Sequence, residues 1–592
     1  MFYDFEMVIK KIIWAFIVLL TLSGKQLLAQ QEPLLPKWLT EEEAALIPSY
    51  LEQRGMLRNS GPPPWMPRAM AEWEELEGVL ITWAGFPTIL TQIVEHAQKE
   101  AIVYIVTLDS QSVKNTLANA GLPLTNIKFV LAPYNSIWCR DYGPWTIYRN
   151  DVEERAFADW IYNRPRPDDD VIPQALAAQL GIACYEAVQP PDDLVHTGGN
   201  FMVDGHGTGF SSELILNENG PFNGWNVTVK NKAAIDTIMK KYLGLNRYIL
   251  METLPYDAIH HIDMHMKLLD EETLLVGEFP PGVSDGPQLE ANLKYVLDNF
   301  LTCYGRPYRV VRVPMVPSTT GSFPPDAYYR TYTNAVFVNK TLLVPTYREE
   351  YDTTALRIIR EALPGYKVVG IDCDNTNAPI IAGNGAIHCI TKEIGHSDPV
   401  WISHAPVLSA SAGESIPIVA RLRTPSGIEH ASISWTTDTA KPYISLPLIP
   451  MGNDSFYAYL PPFTEGTAVY YYISAMSYSG RLVHKPLTAP QGYWKFVVGP
   501  GTVSAAAAEG LTLFAVYPNP AREVVRVGLQ STRTVDGRLL LFDALGRLVC
   551  EQKERAEPQQ KVVPLPLRCR PGSYVLVWES AESRRALAVM VQ

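Results

Sequence analysis

The distribution of apolar residues changes near residue 400, and this change limits the chain to at least two kinds of architecture. Before it, strand-length apolar runs such as 78–84 and 101–108 alternate with amphipathic stretches such as 91–100. After it, helical periodicity gives way to β-type runs with turn residues at intervals of about ten. The length of 592 residues is too great for one domain. We expect an α/β domain followed by β domains.

The β-type runs between residues 402 and 498 are typical of an immunoglobulin-like sandwich. They contain no cysteine, so the disulfide of antibody domains is absent, and Trp435 is a candidate core residue. Residues 499–510 have the composition of a linker, and a separate β pattern follows them. Two successive β-sandwiches are therefore predicted.

The N-terminus has the layout of a secretory signal peptide. Lys10 and Lys11 precede a largely apolar run at 12–22, and Ala29 lies where a small residue is needed for cleavage. The acidic residues before Met7 are unusual for such a peptide, and translation from Met7 would remove them. A membrane span needs ~20 apolar residues, so the shorter run favours a signal peptide. A short membrane anchor is the alternative.

Charge and cysteine usage exclude several classes of function. The formal charge of −12 argues against a nucleic-acid partner. No nucleotide-binding glycine loop, acidic calcium loop or CxxC pair is present. The seven cysteines leave at least one thiol unpaired: Cys139, Cys184, Cys303, Cys373, Cys389, Cys550 and Cys569.

Three local sequences together carry the residue types that hydrolysis of a guanidinium group requires. Carboxylates pair with the planar cation, a thiolate attacks its carbon, and a histidine moves protons. The sequences are IWCRDYGPW (137–145) with Asp141, IHHIDMH (259–265) with His261 and Asp263, and GNGAIHCITKE (383–393) with Cys389. Strand alternation would place His261 and Asp263 on one face, with Cys389 at a loop–strand junction.

Each of these residues also has a simpler interpretation. His261 could be a hydrogen-bonded core histidine, and His260, His261 and His265 could bind a metal ion. Cys389 could be a buried small hydrophobic residue. Spacing alone leaves these alternatives open.

In this order the three segments resemble the guanidine-modifying superfamily, and most of all its branch of agmatine deiminases and bacterial peptidylarginine deiminases. That branch shows W-x-R-D-x-G-P, then H-x-D, then G-N…H-C. Two further segments also match, HTGGN at 196–200 and YTN at 332–334 before a strand ending at Pro345. The resemblance covers about residues 70–395. It implies a five-bladed α/β propeller of ββαβ units around a central pocket.

The resemblance also implies the role of each matching residue, without a cofactor or metal. Attack on the guanidinium carbon would release ammonia and leave a thiouronium that water converts to a ureido group. The implied roles are nucleophile for Cys389, acid/base for His261, guanidinium ligands for Asp141 and Asp263, a position near the nucleophile for Asn334, and a pocket wall for Trp138. Cys139 replaces a residue that is more often threonine or serine, and we interpret it as a spectator.

Arg164 and Arg166 in YNRPRP (162–167) indicate the substrate. They resemble the arginine pair of bacterial peptidylarginine deiminases, which binds the α-carboxylate of a C-terminal arginine, and the arginine fork suits a carboxylate. The alternative is a surface loop paired with residues 168–170. Predicted partners are peptides or proteins ending in arginine. A deiminase for agmatine or free arginine, or a cell-surface adhesin using the Ig-like module, are the other hypotheses.

The last 80 or so residues resemble the C-terminal sorting domain of the type IX secretion route. The matching elements are YPNP at 517–520, FDALGR at 542–547 and GSYVL at 572–576. They imply recognition by secretion machinery and a protein that is secreted or attached to the outer cell surface. A small binding sandwich is the alternative.

The predicted organisation has five parts. They are a signal peptide (1–30), a lead-in segment (31–75), a catalytic α/β domain (76–398), an Ig-like sandwich (399–500), and a linker with a sorting domain (501–592).

Overall fold

The computed structural model describes residues 35–57, 61–374, 379–499, 511–517, 521–543, 547–558, 561–580 and 584–591. The predicted signal peptide, nearly all of the predicted linker and parts of the YPNP and FDALGR motifs lie outside these ranges. No helix within the described ranges has both the length and the apolar character that a membrane span requires.

Five small mixed sheets form the described part of the region between residues 67 and 395. Their strands, sheet by sheet, are Pro67–Ala69, Trp145–Arg149, Arg155–Tyr162, Cys184–Ala187 and Val195–His196; Met202–Val203, Thr208–Ser212 and Arg247–Met251; Met266–Asp270, Thr273–Glu278 and Arg309–Pro314; Val336–Val338, Thr341–Thr346 and Lys367–Asp372; Leu76–Thr82, Ile102–Thr107, Ile127–Leu131 and Lys392–Gly395.

Each of these sheets joins an antiparallel strand pair to a parallel neighbour. A parallel neighbour needs a crossover connection, which explains why strands and helices alternate along this part of the chain. The predicted α/β class is therefore confirmed. None of the described sheets is closed on itself, and closure into a five-bladed propeller stays a prediction.

The described helices are mostly short and lie between the strands. The α-helices are Glu41–Ala44, Ile47–Leu57, Pro87–Ala97, Ser110–Asn119, Cys139–Tyr142, Pro167–Asp170, Ile172–Leu180, Leu214–Asn219, Lys232–Leu243, Gly286–Asn299 and Glu349–Ala362. The 3-10 helices are Gly198–Asn200, Ile262–Met264, Ile380–Gly383 and His388–Ile390.

The helix predicted around 91–100 shows how local pattern sets a boundary. It runs from Pro87 to Ala97, with a proline at its first turn and one apolar face buried. Proline is favoured there because its missing N–H would have no partner within the helix. The apolar pattern predicted the helix, but the helix begins at Pro87, earlier in the chain than the predicted start.

The strand Lys392–Gly395 follows the cysteine-bearing turn and pairs antiparallel with Leu76–Thr82. Residues at the two ends of the α/β region thus share one sheet. This pairing fixes the position of the segment that carries Cys389.

Beyond residue 400 the described elements are all strands. They are Trp401–Ser403, Ser409–Ser411, Ile416–Arg423, Ile428–Thr436, Ile444–Pro447, Ile449–Gly452, Ser455–Leu460, Ala468–Ser477, Leu482–Lys485, Trp494–Gly499, Leu511–Tyr517, Val524–Ser531, Val535–Asp543, Leu548–Ala556, Lys561–Pro566, Gly572–Ser580 and Arg584–Val591. Trp435 is half-buried. The β class of this region is as expected, and its Ig-like and sorting identities stay predictions.

The chain divides into two compact units. The first contains residues up to 407 together with 417–458 and 469–495, and the second contains 408–416, 459–468 and the residues from 496 onward. The predicted domain boundaries at 398 and 500 stay predictions.

Candidate active site

Cys389 lies in the 3-10 turn His388–Ile390, completely buried, just before a strand. Asn334 Nδ2 donates a hydrogen bond to its Sγ at 3.1 Å. Asn334 Oδ1 also accepts from the His388 backbone N–H at 3.0 Å, so one amide fixes both the turn and the thiol. Burial, followed by the charge of Asp263, raises the pKa of Cys389 to about 12.

Asp263 lies beside this thiol, with Oδ2 3.7 Å from Sγ. The same oxygen is 2.8 Å from Nδ1 of His388, whose Nε2 is 2.9 Å from Glu72. Glu72 in turn accepts from Lys267 Nζ at 2.7 Å. Burial opposes ionisation, but the charge of Lys37, followed by the hydrogen bond with His388, holds the pKa of Asp263 well below its usual range. These linked acidic and basic side chains hold an ionised carboxylate next to the thiol.

Asp141 is held on the other side of the site by the Gly199 backbone N–H, which donates to Oδ1 at 3.1 Å. Nδ1 of His261 is 3.6 Å from that oxygen. Within the described chain neither ring nitrogen of His261 has a hydrogen-bond partner. Burial, and then the charge of Lys37, hold the pKa of His261 well below its usual range, so the imidazole is neutral while Lys37 is bound.

Glycines leave the space that this cluster occupies. A Cβ atom on Gly199 would lie 2.9 Å from Asp141 Oδ1, and one on Gly383 would lie 2.7 Å from the Trp138 ring. A Cβ on Gly385 would lie 3.0 Å from Cys389 Cβ. The HTGGN and GNG motifs therefore allow close approach of backbone to the site, and Trp138 packs beside the cysteine-bearing loop.

A positive charge occupies the centre of the site. The ammonium of Lys37 is fully buried, donates to Cys389 Sγ at 2.8 Å, and lies 3.6 Å from Asp141 Oδ1. Burial opposes its ionisation, but the charges of Asp141 and Asp263 raise the pKa of Lys37 above its usual value. The site therefore binds a cation between two carboxylates and a thiol.

Arg164 and Arg166 are also buried, 6% and 1% exposed, so the surface-loop alternative is wrong. Arg164 Nε donates to the Lys37 carbonyl at 2.8 Å. Arg166 donates to the Pro36 carbonyl at 2.6 Å and from Nε to the Glu43 carboxylate at 2.7 Å. Both guanidinium groups are thus bound to acceptor oxygens of the lead-in segment.

Comparison with known proteins identifies the family of the chain. The profile of the Porphyromonas-type peptidyl-arginine deiminase family matches residues 68–394, more than half of the chain. The chain belongs to this family. It is therefore a member of a family of deiminases, hydrolases that act on guanidino groups.

Similar proteins include one of Marinomonas sp. (strain MWYL1), provisionally named an agmatine deiminase. It is 26% identical over 368 residues, which cover 55% of this chain and 94% of that protein. Among solved structures, agmatine deiminase of Enterococcus faecalis is 21% identical, covering 57% of this chain and all of that one, with a TM-score of 0.48. An arginine deiminase structure from Porphyromonas gingivalis, its name also provisional, is 23% identical, covering 56% and 99%, with a TM-score of 0.48.

One local expectation for the site is wrong. The strand expected through His261 and Asp263 is instead a 3-10 helix, Ile262–Met264. Cys139 also lies in a tight turn, the short helix Cys139–Tyr142. Its thiol contacts the Leu80 carbonyl at 3.4 Å, within an apolar cluster separate from that of Cys389.

All eight predicted site residues of the deiminase lie in or around this one cluster. His260, His261 and His265 do not converge on a metal site, because no group of three suitable ligands occurs among the described residues. Sequence reasoning missed Lys37, Glu72 and His388. His388 was visible in the H-C motif, whereas nothing in the lead-in composition marked Lys37.

Proposed function

We propose that this protein is a secreted peptidylarginine deiminase that converts the guanidinium of arginine to a ureido group, giving citrulline and ammonia. The observation that carries the proposal is a buried cation held within reach of a thiol and two carboxylates, at Cys389, Asp141 and Asp263. A guanidinium group has the charge and the N–H donors that such carboxylates bind.

The proposed reaction starts with transfer of the Cys389 thiol proton to His261. The thiolate attacks the guanidinium carbon and forms a C–S bond. His261 returns the proton to one nitrogen, the C–N bond breaks, and ammonia leaves a thiouronium. Water then gives a proton to His261 and adds to the carbon. The C–S bond breaks, the hydroxyl proton returns to sulfur, His261 gives its proton to the released ammonia, and the ureido product leaves.

A bound cation favours this sequence. The Cys389 thiol has a pKa of about 12 even beside Lys37, so it is almost entirely protonated at neutral pH, and the charge of Lys37 acts to lower that pKa. A substrate guanidinium between Asp141 and Asp263 would supply the same positive charge. We infer that substrate binding itself favours formation of the Cys389 thiolate.

Arg164 and Arg166 support arginine with a free carboxylate as the substrate. They bind three carbonyl oxygens and one carboxylate in this structure, and agmatine has neither group. A cavity of about 300 Å³ lined by Arg164 and Trp38 offers room for the rest of a peptide. Agmatine remains the second candidate because the similar curated proteins bear agmatine deiminase names.

The proposed function is tested with a peptide ending in arginine, the same peptide amidated, and agmatine, with ureido product as readout. We expect the free-carboxylate peptide to have the highest kcat/KM. Turnover of agmatine alone would refute the peptidyl assignment. Absence of any turnover, together with tight binding to a protein ligand, would favour the adhesin hypothesis.

Replacing Arg164 and Arg166 together by alanine should lower kcat/KM for the free-carboxylate peptide about 10²–10⁴-fold, and much less for the amidated peptide. The reason is loss of charge-assisted bonds to the carboxylate, each contributing about 1.5–3 kcal/mol. Arg357→Ala is the control because its side chain is 60% exposed and pairs with Glu361 on the same helix. Equal losses on both peptides would mean that the two arginines only maintain structure.

We also propose export by the type IX route, on the signal-peptide pattern and the sorting motifs. In the C-terminal region the strands Val535–Asp543 and Leu548–Ala556 pair antiparallel, and Arg547 Nε donates to Asp543 Oδ2 at 2.7 Å. The two described ends of the F-D-x-x-G-R pattern thus lie beside this strand pair, which supports the resemblance to sorting domains. Deleting residues 511–592 should leave the protein inside cells of a host with this route, and secretion of the shortened protein would contradict the proposal.

A further inference from the structure

The segment 35–43 lies along the active site, and hydrogen bonds to its main chain hold it there. Trp138 Nε1 donates to the Leu35 carbonyl at 2.8 Å, and Arg166 Nη2 donates to the Pro36 carbonyl at 2.6 Å. At Lys37 both main-chain groups are bound: the N–H donates to the Gly383 carbonyl at 3.1 Å, and the carbonyl accepts from Arg164 Nε at 2.8 Å. The residues predicted to recognise substrate are therefore already occupied by this chain.

The Lys37 side chain takes the place of a substrate side chain. Its Nζ is as many bonds from Cα as the guanidinium carbon of an arginine is. That nitrogen lies 2.8 Å from Cys389 Sγ and 3.6 Å from Asp141, where the attacked carbon would lie. A protonated amine offers no electrophilic carbon, so the thiol cannot turn this occupant over.

The acidic side chain of Glu43 completes the likeness to a substrate. Its carboxylate accepts from Arg166 Nε at 2.7 Å, and its backbone N–H donates to Thr40 Oγ1 at 3.1 Å. The Thr40 N–H returns a bond to the same carboxyl group at 3.1 Å, which forms a capping box. This local structure holds a carboxylate where the α-carboxylate of a substrate arginine is expected.

We propose that residues 35–43 are a pseudosubstrate segment, a lysyl peptide bound in cis that keeps substrate out until it is displaced or removed. This inference rests on the proposed deiminase function. Two surfaces hold the segment: the charged site around Lys37, and an apolar cluster containing Tyr50 and Trp225, against which Leu39 packs.

Tethering explains why such a segment competes well with substrate. A ligand on a short flexible connection has an effective concentration on the order of millimolar. The apparent affinity for substrate falls by the fraction of molecules whose site is open. Weakening the segment should therefore lower KM and leave kcat almost unchanged.

The first test compares full-length wild type with Lys37→Ala. We expect KM for the arginine-ending peptide to fall by about tenfold or more. A synthetic peptide of residues 35–43 should then inhibit the variant in trans. Lys37→Met serves if the alanine variant does not fold, and Lys99→Ala is the control because its side chain is 54% exposed. An unchanged KM in a protein that turns substrate over would overturn the proposal.

The second test is Lys37→Arg in the full chain, which places a guanidinium carbon next to Cys389. We expect conversion of residue 37 to its ureido form, detected in the peptide mass as replacement of one NH by one O. Adding Cys389→Ala should abolish the conversion. A variant that turns over added peptide but leaves residue 37 unconverted would contradict the proposed register of the segment.

A third measurement needs no catalysis and distinguishes the pseudosubstrate proposal from the deiminase proposal. Acylation of lysines by an N-hydroxysuccinimide ester should spare buried Lys37 in the wild-type protein and modify exposed Lys99. Lys37 reacting as fast as Lys99 would refute cis binding, whatever the activity. Protection of Lys37 with no turnover by any variant would support cis binding and refute the deiminase proposal alone.

Discussion

Cys389→Ala should abolish ureido formation from every guanidine substrate, with kcat reduced by about 10⁴-fold or more. The physical reason is that the thiouronium intermediate requires a C–S bond, and Cys389 carries the thiol that faces the carboxylates. Product is measured as ureido compound and as released ammonia, for peptide and agmatine alike.

Cys139→Ala is the matched control for this experiment. Cys139 is equally buried, yet its thiol contacts the Leu80 carbonyl and packs in a different apolar cluster. We expect this variant to keep most of its activity. If Cys389→Ala retained a rate close to that of Cys139→Ala, the covalent mechanism would be wrong.

Asp263→Asn should lower kcat/KM about 10²–10³-fold, equivalent to about 3–4 kcal/mol of lost transition-state stabilisation. The amide keeps the size of the carboxylate but removes the charge that would pair with the guanidinium. The charge of Asp263 also acts to raise the pKa of Cys389. The variant should therefore form thiolate at lower pH while turning over less substrate.

Thiolate formation at lower pH combined with lower turnover distinguishes a role of Asp263 at the substrate from a merely structural role. Thiolate formation is followed by the pH dependence of Cys389 alkylation, and turnover by ureido product. Asp298→Asn is the control, since that side chain is 55% exposed and pairs with Lys294. Loss of activity without a downward shift of the alkylation profile would mean that Asp263 only maintains the fold.

Local pattern was enough to predict much of the α/β region. The apolar runs at 78–84 and 101–108 correspond to the strands Leu76–Thr82 and Ile102–Thr107. Such runs are readable because burial of strand and helix faces imposes a short period on the chain. Turn geometry was less predictable: the HxD segment became a 3-10 helix, since its conformation depends on packing around it.

Residue types and the order of the motifs were enough to predict the reacting groups: a thiol, a histidine and two carboxylates typical of a deiminase, and an arginine pair suited to a carboxylate. The side chains that contact these groups could be identified only in the folded chain. Lys37 contacts Cys389 across 352 positions, and Glu72 supports His388 across 316. Such contacts leave no local periodicity, because they depend on how distant strands and loops meet in space.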